Sequence, residues 1–139
     1  MLPKLLALFS TVALFCWMGF FMMGSLPLLV LKHDTPLDAR FIRGLFNVYY
    51  VATISTAAMA SASYALAGQA AFALGMGCVA VFAFSIRRWI IPSMDALRSM
   101  MNGSDPLTIV QFRRLHIIGM VLNVSQLGAV VWSLTKLAL

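Results

Sequence analysis

The sequence predicts an all-α protein: an antiparallel bundle of four transmembrane helices, with a short amphipathic helix on the cytoplasmic side between helices 3 and 4. Three observations carry that prediction. The 139 residues are 62% hydrophobic and only 10% charged, with mean hydropathy +0.94, whereas soluble domains are nearer half apolar and one quarter charged. The apolar residues fall into four runs of membrane-spanning size. The basic residues collect in two of the links between the runs, with few at the chain ends. A single integral membrane domain over residues 1–139 follows, because no polar stretch is long enough to build a soluble core.

The first run extends from Leu5 to Leu31. It follows one lysine, exceeds a signal-peptide core in length and lacks a small-residue cleavage pattern, so it reads as a retained span. Pro27 is expected to kink it. The second run, Leu45 to Ala67, stops at Gly68, and Gly68 and Gln69 form a tight turn into the third, Ala70 to Ile86. That third run is short, but snorkelling Arg87 and Arg88, with Trp89 at the interface, extend it. Beyond it, Ile90, Met94, Leu97 and Met101 share one side of a helix, opposite Arg88, Asp95 and Ser99. This pattern predicts a surface helix on anionic lipid, with Pro92 dividing it from the span. The stretch NGSDP, residues 102–106, reads as a turn and a helix start, capped by Ser104 or Asp105 with Pro106 in the first turn. The fourth helix then begins near Leu107 and spans from Leu115 to Leu134.

Lys32, Arg40, Arg43, Arg87, Arg88, Arg98, Arg113 and Arg114 fall on one side of this arrangement, and Lys4 and Lys136 on the other. The positive-inside rule places loops 32–43 and 87–114 in the cytoplasm and both termini outside. A net charge of +6 in a soluble chain suggests nucleic acid; here the basic residues flank apolar runs, which points to the bilayer and its anionic head groups and away from nucleic acid. Arg87, Arg88, Trp89, Arg98 and Arg114 are the expected membrane-surface anchors.

Lipid supplies no hydrophobic drive between helices, so close packing of small residues must hold them together. The expected ridges are Thr53, Ala57, Ser61 and Ala65 on the second helix, and Ala71 and Gly75 on the third, with Ala73 and Gly77 beside them. Gly19 and Gly24 add to the first. Cys16, Cys78, Met18, Met22 and Met23 read as packing residues, without metal or disulfide spacing.

The candidate site opens the fourth span. In FRRLHIIGMVLNVSQL, residues 112–127, His116, Gly119, Asn123 and Gln126 share one side of a helix, with Arg113 slightly around from it. Asn47 is expected near the level of His116, with Asp38, Arg40, Arg43, Asp95 and Asp105 just beyond. Polar groups in a span face a bundle interior, a wet cavity or another protein. Three readings follow: a structural interhelical network; a cytoplasm-facing pocket for a small ligand such as a quinone or lipid head group; or a haem site. The last is weakest. His33 and His116 are the only histidines, and His33 lies in a loop, which leaves His116 as a single imidazole ligand, with a methionine as its partner. No cofactor or metal is therefore predicted. The chain has four aspartates, no glutamate and no carboxylate within a span. This argues against an ion-coupled transporter and, less strongly, against an enzyme.

With GFFMMGSLPLL, ARFIRGLFNVYY, RRWIIPSMDALR and the 112–127 stretch taken together, the chain resembles the small four-helix membrane proteins grouped with transmembrane protein 205, a family of unknown function. The resemblance implies a four-helix bundle and a bacterial-type inner-membrane protein, and it implies no reaction. The function expected is that of a non-catalytic accessory or assembly subunit, packed against other membrane subunits or self-associated. The alternatives are a ligand-binding or redox protein using the His116 cavity, and an oligomeric exporter.

Overall fold

The computed structural model describes residues 1–30, 35–101 and 105–136, and they form four helices: α1 (Leu2–Leu28), α2 (Pro36–Leu66), α3 (Ala70–Ser99) and α4 (Pro106–Lys136). Local chemistry sets most of their ends. Thr35 caps α2, its hydroxyl accepting from the Asp38 N–H at 3.2 Å, with Pro36 in the first turn where no N–H is needed. Gly68, at φ +74°, closes α2. Its N–H reaches Ala65 O (3.1 Å), and the Gln69 N–H reaches Tyr64 O (2.9 Å), the paired bonds of a Schellman turn that favours glycine. Asp105 caps α4, accepting from the Leu107 N–H (3.2 Å) and the Thr108 hydroxyl (2.6 Å). The other expected cap, Ser104, lies outside the described residues, as does His33.

Consecutive helices run antiparallel. α2 packs on α1 and α3, while α4 lies more loosely between α1 and α3, diagonally across from α2. The bundle has an apolar core threaded by a few polar side chains, and its outer face is apolar as well. Thr11, Ser25, Thr53, His116, Asn123 and Gln126 are buried, whereas Phe9, Phe20, Met23, Val48, Leu74 and Trp132 face outward. Water would invert that pattern; lipid favours it. Three helices, α1, α3 and α4, are long and apolar enough to cross a membrane. Hydroxyl-rich α2 is less apolar, and falls outside that group. The chain is an all-helical membrane protein.

The structure corrects two expectations. Among the described residues, no separate amphipathic helix stands between α3 and α4. α3 runs unbroken through Pro92 to Ser99. The expected apolar face is real, but Ile90, Met94 and Leu97 are buried in the bundle core instead of on a lipid surface. The first three turns of α2 supply the partner: Ala39, Ile42 and Phe46 are wholly buried, and Arg43 reaches Asp95. Core packing along both helices outweighs the one backbone bond lost at Pro92. The second correction concerns the small residues. Ala73 and Gly77, not Ala71 and Gly75, meet α2: the Ser61 hydroxyl donates to Ala73 O at 2.7 Å, and a Cβ on Gly77 would lie 3.3 Å from Ser61 Oγ. Ala71, Gly75 and Ala65 face outward.

Candidate functional site

His116, Gly119, Asn123 and Gln126 all point into the bundle, as their helical spacing requires. His116 is fully buried. Its Nε2 lies 2.9 Å from Ser25 Oγ on α1, and its ring meets the Phe46 ring of α2 edge-on, centroids 5.5 Å apart. Gly119 makes room for that ring. A Cβ there would overlap Phe46 Cε1 and sit 3.0 Å from Ile90 Cδ1. Phe46 is held on its other sides by Phe21 and Tyr50, at centroid distances of 4.9 and 6.1 Å. A haem iron at Nε2 would have to displace Ser25, and the porphyrin would have to displace Phe46.

About two to three turns further along α4, the Tyr49 hydroxyl of α2 donates to Asn123 Oδ1 and lies 3.3 Å from Gln126 Oε1. Gln126 Nε2 in turn lies 3.5 Å from the Val79 carbonyl of α3. Tyr49 is fixed by stacking on Phe21, centroids 4.1 Å apart. Each helix thus contributes to one internal polar column: Ser25, Tyr49, the Val79 carbonyl, and the His116–Asn123–Gln126 stripe. Asn123 Nδ2, Tyr50 Oη and Thr53 Oγ1 are buried along the column with no hydrogen-bond partner among the described residues. In an apolar medium each such donor is costly, so the column is a constrained arrangement. Nearer the opposite end, Thr11 Oγ1 bonds Ala7 O (2.7 Å) and Tyr64 Oη (3.0 Å), tying α1 to α2.

The remaining candidates are placed elsewhere. Asn47 does not join His116; its Oδ1 accepts from Arg87 on α3 at 2.9 Å. It sits about 100° around α2 from Phe46, which turns it toward a different neighbour. Arg87 is therefore half-buried and bonded, unlike a free surface anchor, whereas Arg88, Trp89 and Arg114 are exposed. Arg88 stands over the Phe84 ring, 5.9 Å from its centroid. Arg113 also stays out of the column, donating to the Leu29 carbonyl at 3.3 Å and so capping the end of α1. Arg43 grips Asp95 with two nitrogens (2.8 and 3.0 Å), and Arg98 touches the same carboxylate at 3.4 Å.

The sequence reading missed Ser25, Tyr49 and the Arg43–Asp95 pairing. A signal for the first two does exist. Leu14, Met18, Phe21 and Ser25, and Ile42, Phe46, Tyr49 and Thr53, recur at spacings of three and four, and these are the buried stripes of α1 and α2.

A groove of about 860 Å³ opens between α3 and α4, where these helices part; Leu74, Gly75, Cys78, Phe82, Ser125 and Ala129 line it, with Gln126 also in its wall. Comparison of the chain with family models, with curated proteins and with solved structures gives no match.

Proposed function

We propose that this is a non-catalytic integral membrane protein of four spans, acting as an accessory or assembly subunit of a larger membrane complex. The observation that carries the reading is the closure of the polar stripe within the bundle. His116, Asn123 and Gln126 are at most 5% exposed and are bonded to Ser25, Tyr49 and the Val79 carbonyl, which makes them interhelical ties. Among the described residues, no buried carboxylate or lysine stands with them. The subunit role is supported by the α3–α4 groove, whose Gly75, Ser125 and Ala129 would admit the backbone of a partner's helix.

That α2 also crosses the bilayer is supported by its place between α1 and α3 and by its two-residue turn into α3. Arg40, Arg43, Arg87, Arg88, Arg98, Arg113 and Arg114 gather at one end of the bundle, which we place in the cytoplasm, with both termini outside. The resemblance to the transmembrane protein 205 group, and the bacterial-type inner membrane it implies, belong to the same proposal. In its favour, the four stretches that carry the resemblance also hold Ser25, Phe46, Tyr49, His116, Asn123 and Gln126, the side chains that meet around the column, and the Arg43–Asp95 pair.

Purification in mild detergent tests the reading. A stable larger partner, lost when Gly75→Leu fills the groove, is the expected result; a lone monomer carrying a small molecule overturns it. One observation favours a second reading, a site for a membrane-soluble carbonyl compound such as a quinone. Gln126 belongs both to the Tyr49 network and to the groove wall, so a molecule arriving from the lipid would meet a side-chain amide there. Solvent extraction and the absorption spectrum of the purified protein separate the two.

A further inference from the structure

Two neighbouring cavities at the arginine-rich end share Leu37 and Arg40. One, of about 440 Å³, is lined by Pro36, Leu37, Arg40, Arg98 and Ser99. The other, of about 460 Å³, runs down the outer face of α2 along Leu37, Arg40, Phe41, Gly44, Leu45 and Val48. The first is walled by two guanidinium groups and the second by hydrocarbon, and Arg40 stands at their junction. We infer that the pair forms a binding site for an anionic phospholipid, with its phosphate between Arg40 and Arg98 and an acyl chain laid along Phe41, Gly44, Leu45 and Val48.

Charge complementarity selects the head group. Arg40 is exposed and makes no ion pair among the described residues. Arg98 has only a 3.4 Å contact with Asp95, whose carboxylate is already gripped by Arg43 at 2.8 Å. Two under-neutralised cations therefore face one cavity. The first turn of α2, which opens at Pro36, holds Asp38, whose charge offsets the helix dipole there, so the two guanidinium groups carry the attraction. Guanidinium is suited to phosphate because its donors match two phosphate oxygens.

Shape selects the chain. Positions 37, 41, 44, 45 and 48 form one helical stripe, and Leu37, Phe41 and Val48 are 58–73% exposed. Gly44 makes the trough: a Cβ built there meets nothing within 4 Å. The stripe descends from the charged end toward the apolar middle of α2, the direction an acyl chain takes from its head group. The inference rests on the membrane reading in one respect, that Arg40 lies at head-group level.

The test uses the full chain in bilayer discs of phosphatidylcholine with phosphatidylglycerol as the minor lipid. The protein is extracted into mild detergent and its retained lipids are identified by mass spectrometry. Phosphatidylglycerol is expected to be enriched over phosphatidylcholine. Arg40→Gln should lower that enrichment about fivefold, the effect of one basic residue at an anionic surface. Gly44→Leu, which fills the trough without touching the core, should lower it as well. Equal retention of the two lipids, or enrichment unchanged in Arg40→Gln, overturns the inference. Enrichment unchanged in Gly44→Leu, together with displacement of the lipid by glycerol phosphate, would mean that a phosphate group alone is recognised, and it overturns the lipid assignment. Carbonate extraction of the wild type separates these failures from failure of the membrane reading, since a chain that stays in the membrane without anionic preference refutes only the site.

Discussion

Replacing Gly119 with alanine adds one methyl group where α4 meets the Phe46 ring. That methyl would overlap Phe46 Cε1, lie 2.8 Å from Cζ and sit 3.0 Å from Ile90 Cδ1. Phe46 and Ile90 are wholly buried, and Phe46 is boxed in by Phe21, Tyr50 and His116, so the ring has no free space to turn into. Overpacking of this kind costs about 1–3 kcal/mol. Against it stands the gain of about 0.8–1.0 kcal/mol that alanine brings over glycine inside a helix. Gly75 supplies the control. It also lies within a helix, but a Cβ there meets nothing within 4 Å, so Gly75→Ala takes the gain without the clash. The difference between the two variants cancels the backbone term and should be about 1–3 kcal/mol, with Gly119→Ala the less stable. Equilibrium unfolding in mixed micelles, followed by tryptophan fluorescence, measures it. Phe46→Leu removes the overlapping ring, so the double variant should recover most of the loss, as a coupling between residues in contact. If Gly119→Ala matches or exceeds Gly75→Ala in stability, the close passage of α4 over Phe46 is wrong, and with it the placement of His116.

Tyr49→Phe deletes the hydroxyl that serves Asn123 and Gln126 and leaves their carbonyl oxygens short of a donor, so it should destabilise by about 1–2 kcal/mol. Tyr64→Phe should cost less in the same assay, because Thr11 keeps its 2.7 Å bond to Ala7 O. Asp105 gives a pH dependence. The Thr108 hydroxyl, and then the Leu107 N–H, hold its carboxyl below the ordinary value. A carboxyl lowered by folding stabilises α4 at pH above the ordinary carboxylate range and loses that contribution as pH falls through the lowered value. Amide exchange in the first turn of α4, corrected for intrinsic rates, should therefore show loss of protection on acidification, and Asp105→Ala should abolish the pH dependence.

The end of α2 and the start of α4 were readable because their chemistry is local; the start of α2 at Pro36 and the end of α3 at Ser99 were not, because charged residues extend both helices past their apolar runs. Gly68 terminates α2 through its own backbone angle, and Asp105 and Pro106 start α4 with groups two and three residues away. That the α4 stripe turns away from lipid was readable, because polar groups at helical spacing cannot face hydrocarbon; its closure within the bundle, as opposed to a cavity or another protein, was not. Partners were harder. A serine such as Ser25 within an apolar run looks the same in sequence whether it packs or bonds, and only the arrival of α4 distinguishes the two. Pro92 misled for a related reason. Its penalty is local and visible, while the burial that overrides it comes from Ile42 and Phe46, some fifty residues earlier in the chain. Asn47 was assigned by depth alone, and depth without helical phase chooses the wrong neighbour.

The unbroken course of α2 and α3 also bears on how the molecule meets the bilayer. At 31 and 30 residues these helices are about 45 Å long, but their charge-free stretches, 44–66 and 70–86, are about 35 and 26 Å, close to a hydrocarbon layer of about 30 Å. They are joined by a two-residue turn at one end and by the Arg43–Asp95 pair near the other, so neither shortens or slides alone. On the four-span reading, the remaining stretches, 36–43 of α2 and 87–99 of α3, stand past the hydrocarbon. Their charged ends, tied by the Arg43–Asp95 pair, then meet the head-group layer as one joined platform.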